Sequence, residues 1–118
     1  MDLTFSELRK ANVSRCGGYF HPVEDWSPTD WATAMAGECG EACNFVKKLR
    51  RLQNPNTVWK RTPENLDEKY LLVETAKELA DMIIYADLLA ERLGIDLGEA
   101  VRFKFNEISD KAQSTIKL

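Results

Sequence analysis

Two long runs with apolar residues at helical period, each fenced by start and stop signals, constrain this chain more than any other feature. The first follows Ser27, where an N-cap serine, Pro28 at the first helical position and Asp30 in the first turn predict a helix from Pro28 to about Leu52. Lys47, Lys48, Arg50 and Arg51 suit its negative C-terminal pole. The second run opens at Thr62 and Pro63, is expected to be irregular near Leu66, and continues to Leu93, where Gly94 supplies a left-handed terminal position. Asp96 and Glu99 then start a helix from Leu97 to about Ala112, which leaves residues 113–118 as a tail. Ahead of these, Thr4 and Glu7 make a capping box for a short first helix, expected to fray before Cys16-Gly17-Gly18, with Cys16 to Trp26 an ordered loop. Gln53 to Lys60, with its Asn-Pro-Asn, reads as a second loop. No strand-period segment competes, so the expected fold is an all-α bundle of about four helices.

At 118 residues the chain fits one domain, 1–118, with a single modest core. A net charge of −3 argues against a protein that grips a nucleic-acid backbone, so its basic residues must act locally. No apolar run approaches membrane-spanning length, and Met1 to Lys10 lacks the apolar stretch of a secretion signal. The expected setting is the cytoplasm. Three cysteines, two of them four apart in a helical segment, fit reduced thiols better than a disulfide framework.

The function-bearing anomaly is acid on the wrong face. On the first long helix Trp31, Met35, Ala42, Phe45, Val46 and Leu49 fall on one side, and Glu38 and Glu41 fall there too. On the second, Leu71, Met82, Tyr85 and Leu89 define a stripe that also contains Glu78 and Asp81, with Glu74 a turn earlier. Carboxylates converging between two helices repel and lose hydration unless protons or cations offset them. The plain alternative is that each pair sits at the margin of its stripe and forms surface salt bridges with Lys47, Lys77 or Arg92. Two pairs on consecutive stripes favour bound metal. Oxygen donors alone select Mg²⁺, with Mn²⁺ as a substitute. A di-iron site is disfavoured, since it needs Glu-x-x-His on two helices and the one histidine, His21, lies elsewhere.

Gly37-Glu38-Cys39-Gly40-Glu41 with Asn44 and Lys47-Lys48, followed by Glu78-Leu79-Ala80-Asp81 and Tyr85, resembles the motif set of the MazG-like all-α nucleoside triphosphate pyrophosphohydrolases. The resemblance runs from about Trp26 to Asn106, and Leu93 to Leu97 with Lys104 is similar to the short, phage-type members. It implies hydrolysis of a ribo- or deoxyribonucleoside triphosphate to monophosphate and pyrophosphate by a metal-activated water. It also implies Mg²⁺ held by Glu38, Glu41, Glu78 and Asp81, and assembly as a homodimer or homotetramer. Lys104 and Asn106 stand where relatives contact nucleotide, but at a spacing that varies among them.

Further candidates come from the residues themselves. Lys48, two turns beyond Glu41, leads the phosphate partners, with Lys104 beside it and Lys47, Lys60 and Arg61 behind. His21, Trp26, Trp31 and Trp59 offer flat surfaces for a base, although core packing is the stronger reading of Trp31. Asn44, one turn after Glu41, is a hydrogen-bonding candidate for sugar or base. Cys39 and Cys43 read as buried small residues, and a zinc site formed by Cys16, His21, Cys39 and Cys43 is disfavoured by spacing. Two other functions stay open: a helical interaction module, which predicts no metal binding, and a nucleotide-binding protein that does not cut.

Overall fold

A computed structural model describes residues 1–54 and 67–118. The expectations at Trp59, Lys60, Arg61, Thr62, Pro63 and Leu66 lie outside the described residues. The all-α class holds: α1 (Phe5–Arg15), α2 (Pro28–Gln53), α3 (Glu68–Arg92) and α4 (Leu97–Lys111) are present, and there is no strand among the described residues. They gather into two compact units. Unit 1 is Met1–Thr29 with Asp87–Leu118, and unit 2 is Asp30–Ala86.

Local chemistry sets the helix ends. The Thr4 hydroxyl accepts from the Glu7 N–H at 3.1 Å while the Glu7 carboxylate accepts from the Thr4 N–H at 2.8 Å, which satisfies two donors that α1 leaves unpaired. Asp67 caps α3, accepting from the Tyr70 N–H at 2.6 Å. Gly94, at φ 70°, ends that chain segment with the Ile95 N–H on the Ala90 carbonyl at 2.8 Å and the Gly94 N–H on that of Glu91 at 3.0 Å. Asp96 then caps α4 through the Glu99 N–H at 3.0 Å.

One expectation for the start of the chain is corrected. α1 does not fray at Cys16; it continues as a π-helical turn, Cys16–Phe20, closed by the His21 N–H on the Cys16 carbonyl at 2.9 Å, and a 3₁₀ turn comes next at Val23–Asp25. Gly17 and Gly18 lower the helical preference without stopping the helix, because Cys16 anchors the widened turn: its thiol is buried and donates to the His21 carbonyl at 3.1 Å. Burial pushes that thiol above its ordinary pKa, which disfavours the nucleophilic thiolate.

In unit 1, charged and polar side chains tie α1 to the end of α3. Asp87, 1% exposed, accepts from Arg9 Nε at 2.9 Å and from buried Asn12 Nδ2 at 3.1 Å. Arg9 also donates to Glu91 at 2.8 Å and to the Ile95 carbonyl at 3.1 Å. A buried carboxylate with two such donors is tolerated; alone it would cost several kcal/mol, roughly 3–5 when one partner of such a pair is removed. Gly98 lets α1 approach α4, since a Cβ there would stand 3.2 Å from that of Phe5.

Unit 2 is built on α2 and α3. Its buried residues include Trp31, Ala42 and Leu71, with Trp31 tilted against Tyr85 at 6.1 Å between ring centroids. Val46, expected on the core side, is half exposed. Cys39 and Cys43, expected to be buried, are exposed. Both lie to one side of the Glu38 and Glu41 row, and the turn of α2 carries them to its outer face.

Candidate functional site

Three of the four expected acids meet. Glu38 and Glu41, a turn apart on α2, and Glu78 from α3 offer carboxylate oxygens that all lie within 4.8 Å of one another, the only such group of three or more potential ligands among the described residues. Glu38 and Glu78 are half-buried and Glu41 is exposed. Helix geometry explains the convergence: positions three apart are surface neighbours, and the apolar stripe that turns Trp31 and Ala42 inward on α2 turns Glu38 toward α3.

This charge goes uncompensated among the described residues. Among the described residues no lysine or arginine pairs with any of the three, and Lys77, a candidate partner in the surface reading, bonds Glu74 at 2.9 Å instead. Arg92, another, donates to the Trp26 carbonyl at 2.9 Å. Glu78 registers the crowding: Glu38 first, then burial, then Glu41 push its carboxyl up from 4.5 to about 7. One Glu78 oxygen, Oε2, is shut away from solvent with no hydrogen-bond partner. A buried acceptor left unpaired is costly and suits a site that a proton or a cation completes. The donor set, oxygen only, fits a hard divalent cation.

Asp81, the fourth expected ligand, is exposed and stands outside the cluster. Asp81 has the same three-residue offset from Glu78 that Glu41 has from Glu38, yet its carboxylate does not join the group. Near the site, Lys48 Nζ lies 5.2 Å from the centre of the Phe45 ring, held as a cation over an aromatic face, and Asn44 is exposed. Tyr85 is half-buried against Trp31. Trp31 itself is 2% exposed, so core packing, the stronger reading, is what it does, and no ring face is left for a base.

The other candidates lie in unit 1. Trp26 stacks on His21 at 4.9 Å with 30° between planes. Lys104 pairs with Glu107 at 3.1 Å, and the Asn106 amide bonds the main chain of Leu118. No ligand group that joins the cysteines to His21 is present among the described residues. The buried Asp87 clamp escaped the sequence reading; its one signal is an acid set in the apolar run Ala86-Asp87-Leu88-Leu89-Ala90. No protein-family model and no curated protein matches this chain.

Proposed function

We propose that this chain is a magnesium-dependent hydrolase that cuts nucleoside triphosphates between the α and β phosphates, with Mn²⁺ able to replace Mg²⁺. The observation that carries the reading is the meeting of Glu38, Glu41 and Glu78 from two helices, with no basic partner among the described residues. The order E-x-x-E then E-x-x-D, which resembles the MazG-like motif set, supplies the reaction class.

In this reading Glu38, Glu41 and Glu78 hold the cation, and exposed Asp81 adds a ligand from the margin. Bound there, Mg²⁺ supplies charge to offset the triphosphate oxygens and the departing pyrophosphate. The protein's own part is to hold carboxylates in place before substrate arrives, two on one rigid turn of α2 and one on α3. A proton from the attacking water passes to Glu38 or Glu41, the two acids carried on one turn of α2. Lys48, whose ammonium leans on Phe45, and exposed Asn44 are the nearest candidates in sequence for phosphate and sugar. For Trp26, Tyr85, Lys104 and Asn106 a nucleotide role rests on the resemblance and on residue type.

A second copy of the chain is the proposed macromolecular partner. Leu72, Leu79 and Ile83 on α3 are each about half exposed, and with Ala76 they repeat at four-three-four spacing, a seam that a like helix can fill.

The test is pyrophosphate release from a panel of ribo- and deoxyribonucleoside triphosphates with Mg²⁺ or Mn²⁺. Glu38→Gln and Glu41→Gln are expected to lower turnover by at least about 10²-fold with helical circular dichroism intact. A panel without pyrophosphate release, or active Gln variants, defeats the reading.

A further inference from the structure

Residues 113–118 fold back along α4. The reversal is made at Gln113, whose φ of 57° is the one positive value at a non-glycine among the described residues. The Ser114 N–H bonds the Ser109 carbonyl at 2.8 Å and the Gln113 N–H that of Asp110 at 3.1 Å. A side chain disfavours that left-handed backbone, so the reversal depends on contacts made by residues 114–118. The Ser114 hydroxyl accepts from the Ile116 N–H at 3.1 Å, a turn that brings Lys117 and Leu118 beside α4.

Contacts of three kinds then fall on two residues. The Asn106 side chain pairs with Leu118 in both directions, accepting its N–H at 2.9 Å and donating Nδ2 to its main-chain oxygen at 3.3 Å. The Lys117 ammonium bonds the Asn106 carbonyl at 3.3 Å and the Asp110 carboxylate. Leu118 also helps to line a cleft of about 990 Å³ within unit 1, whose apolar wall includes Phe5, Ile95 and Val101. A carboxamide that engages both polar atoms of one residue reads a main chain as a neighbouring strand would, while a carboxylate and an apolar wall read successive side chains.

We propose that this face of α4 is a docking site for an extended peptide bearing a basic residue followed by an aliphatic one, and that residues 113–118 are its resident, displaceable occupant. Displacement is cheap: Leu118 is 57% exposed, the hydrogen bonds are open to water, and Gln113 gains by leaving its left-handed state. Retention comes from tethering, which holds the segment at high local concentration. While it is seated, the Asn106 Oδ1 and one Nδ2 hydrogen are committed, and any other ligand of that amide must first expel it. The site lies apart from the acid cluster, and its test reads no turnover, but it shares Asn106 with the nucleotide role proposed above.

The test uses the full chain carrying Lys117→Glu and Leu118→Pro together, which removes the ammonium that bonds Asp110 and the N–H that Asn106 accepts while leaving the residues of α4 unchanged. The hexapeptide Gln-Ser-Thr-Ile-Lys-Leu is titrated to millimolar concentration while the backbone amide of Asp110 is followed by NMR. The double variant is expected to show saturable shifts, the unaltered chain none at the same concentration because its tethered copy wins, and Asn106→Ala added to the double variant is expected to abolish them. A second measurement does not depend on that variant: in the unaltered chain the Leu118 amide should exchange at least about tenfold more slowly than in the free hexapeptide, and Asn106→Ala should restore the free rate. An unprotected Leu118 amide, a folded double variant that takes no peptide, or binding that survives Asn106→Ala overturns the proposal.

Discussion

Magnesium binding at the acid cluster is expected to expel protons, in an amount set by Glu78. Its carboxyl is pushed up to about 7, by Glu38 first, so it holds about nine-tenths of a proton at pH 6 and about half of one at pH 7. A hard cation needs the carboxylate, and binding must release what is held. Calorimetric titration with Mg²⁺ in buffers of unlike ionisation heat should therefore report about 0.9 proton released at pH 6 and about 0.5 at pH 7, with apparent affinity rising about fivefold between them. Without metal the same shift fixes a sign for stability. The folded state keeps a proton that the unfolded state loses near 4.5, so the metal-free chain should lose stability as pH rises from about 4.5 to about 7, and level off above. Saturating Mg²⁺ should flatten that slope, since the cation stands in for the proton. Glu78→Gln should remove both effects. Heat of binding at pH 6 that is the same in every buffer, or proton release that survives Glu78→Gln, would refute the reasoning.

The packing gives three more expected outcomes. Asp87→Ala should cost roughly 3–5 kcal/mol by stranding Arg9 and Asn12, seen as a lower denaturant midpoint. Gly94→Ala should cost about 1 kcal/mol or somewhat more, because φ 70° burdens any side chain although nothing blocks the space around it. Leu79→Glu, placed in the proposed seam, should shift the mass measured by light scattering toward one chain and leave helicity unchanged; an unaltered mass would count against that seam.

What the sequence revealed, and what it hid, divides by range. Helix ends were legible because their chemistry is local: Thr4 with Glu7, Asp96 with Glu99 and Gly94 act within three to five residues. The acid cluster was legible for a related reason, since Glu38, Glu41 and Glu78 break the apolar period of their own helices. Asp81 shows the limit of that logic: one spacing brings Glu38 and Glu41 together and leaves Asp81 apart from Glu78's group, a difference that a pattern along one helix does not carry. Cys39 and Cys43 were misread because small residues suit a core and a surface alike. The π-helical turn at Cys16–Phe20 was hidden by Gly17-Gly18, a pair that usually signals a break. Asp87 was beyond reach, since its partners Arg9 and Asn12 lie 78 and 75 residues away and only folding brings them together.

The Asp87 clamp gives the two ends of unit 1 unequal responses to salt. Ion pairs on the surface of α4, from Lys104 and Lys111 to Glu107 and from Lys117 to Asp110, sit in water, where an ionic atmosphere damps them within about 8–10 Å. Asp87 is sealed from that atmosphere, and its hold on Arg9 and Asn12 persists. A rise in ionic strength should thus loosen the segment after α4 while α1 stays fastened, which makes salt a selective solvent for one end of the unit.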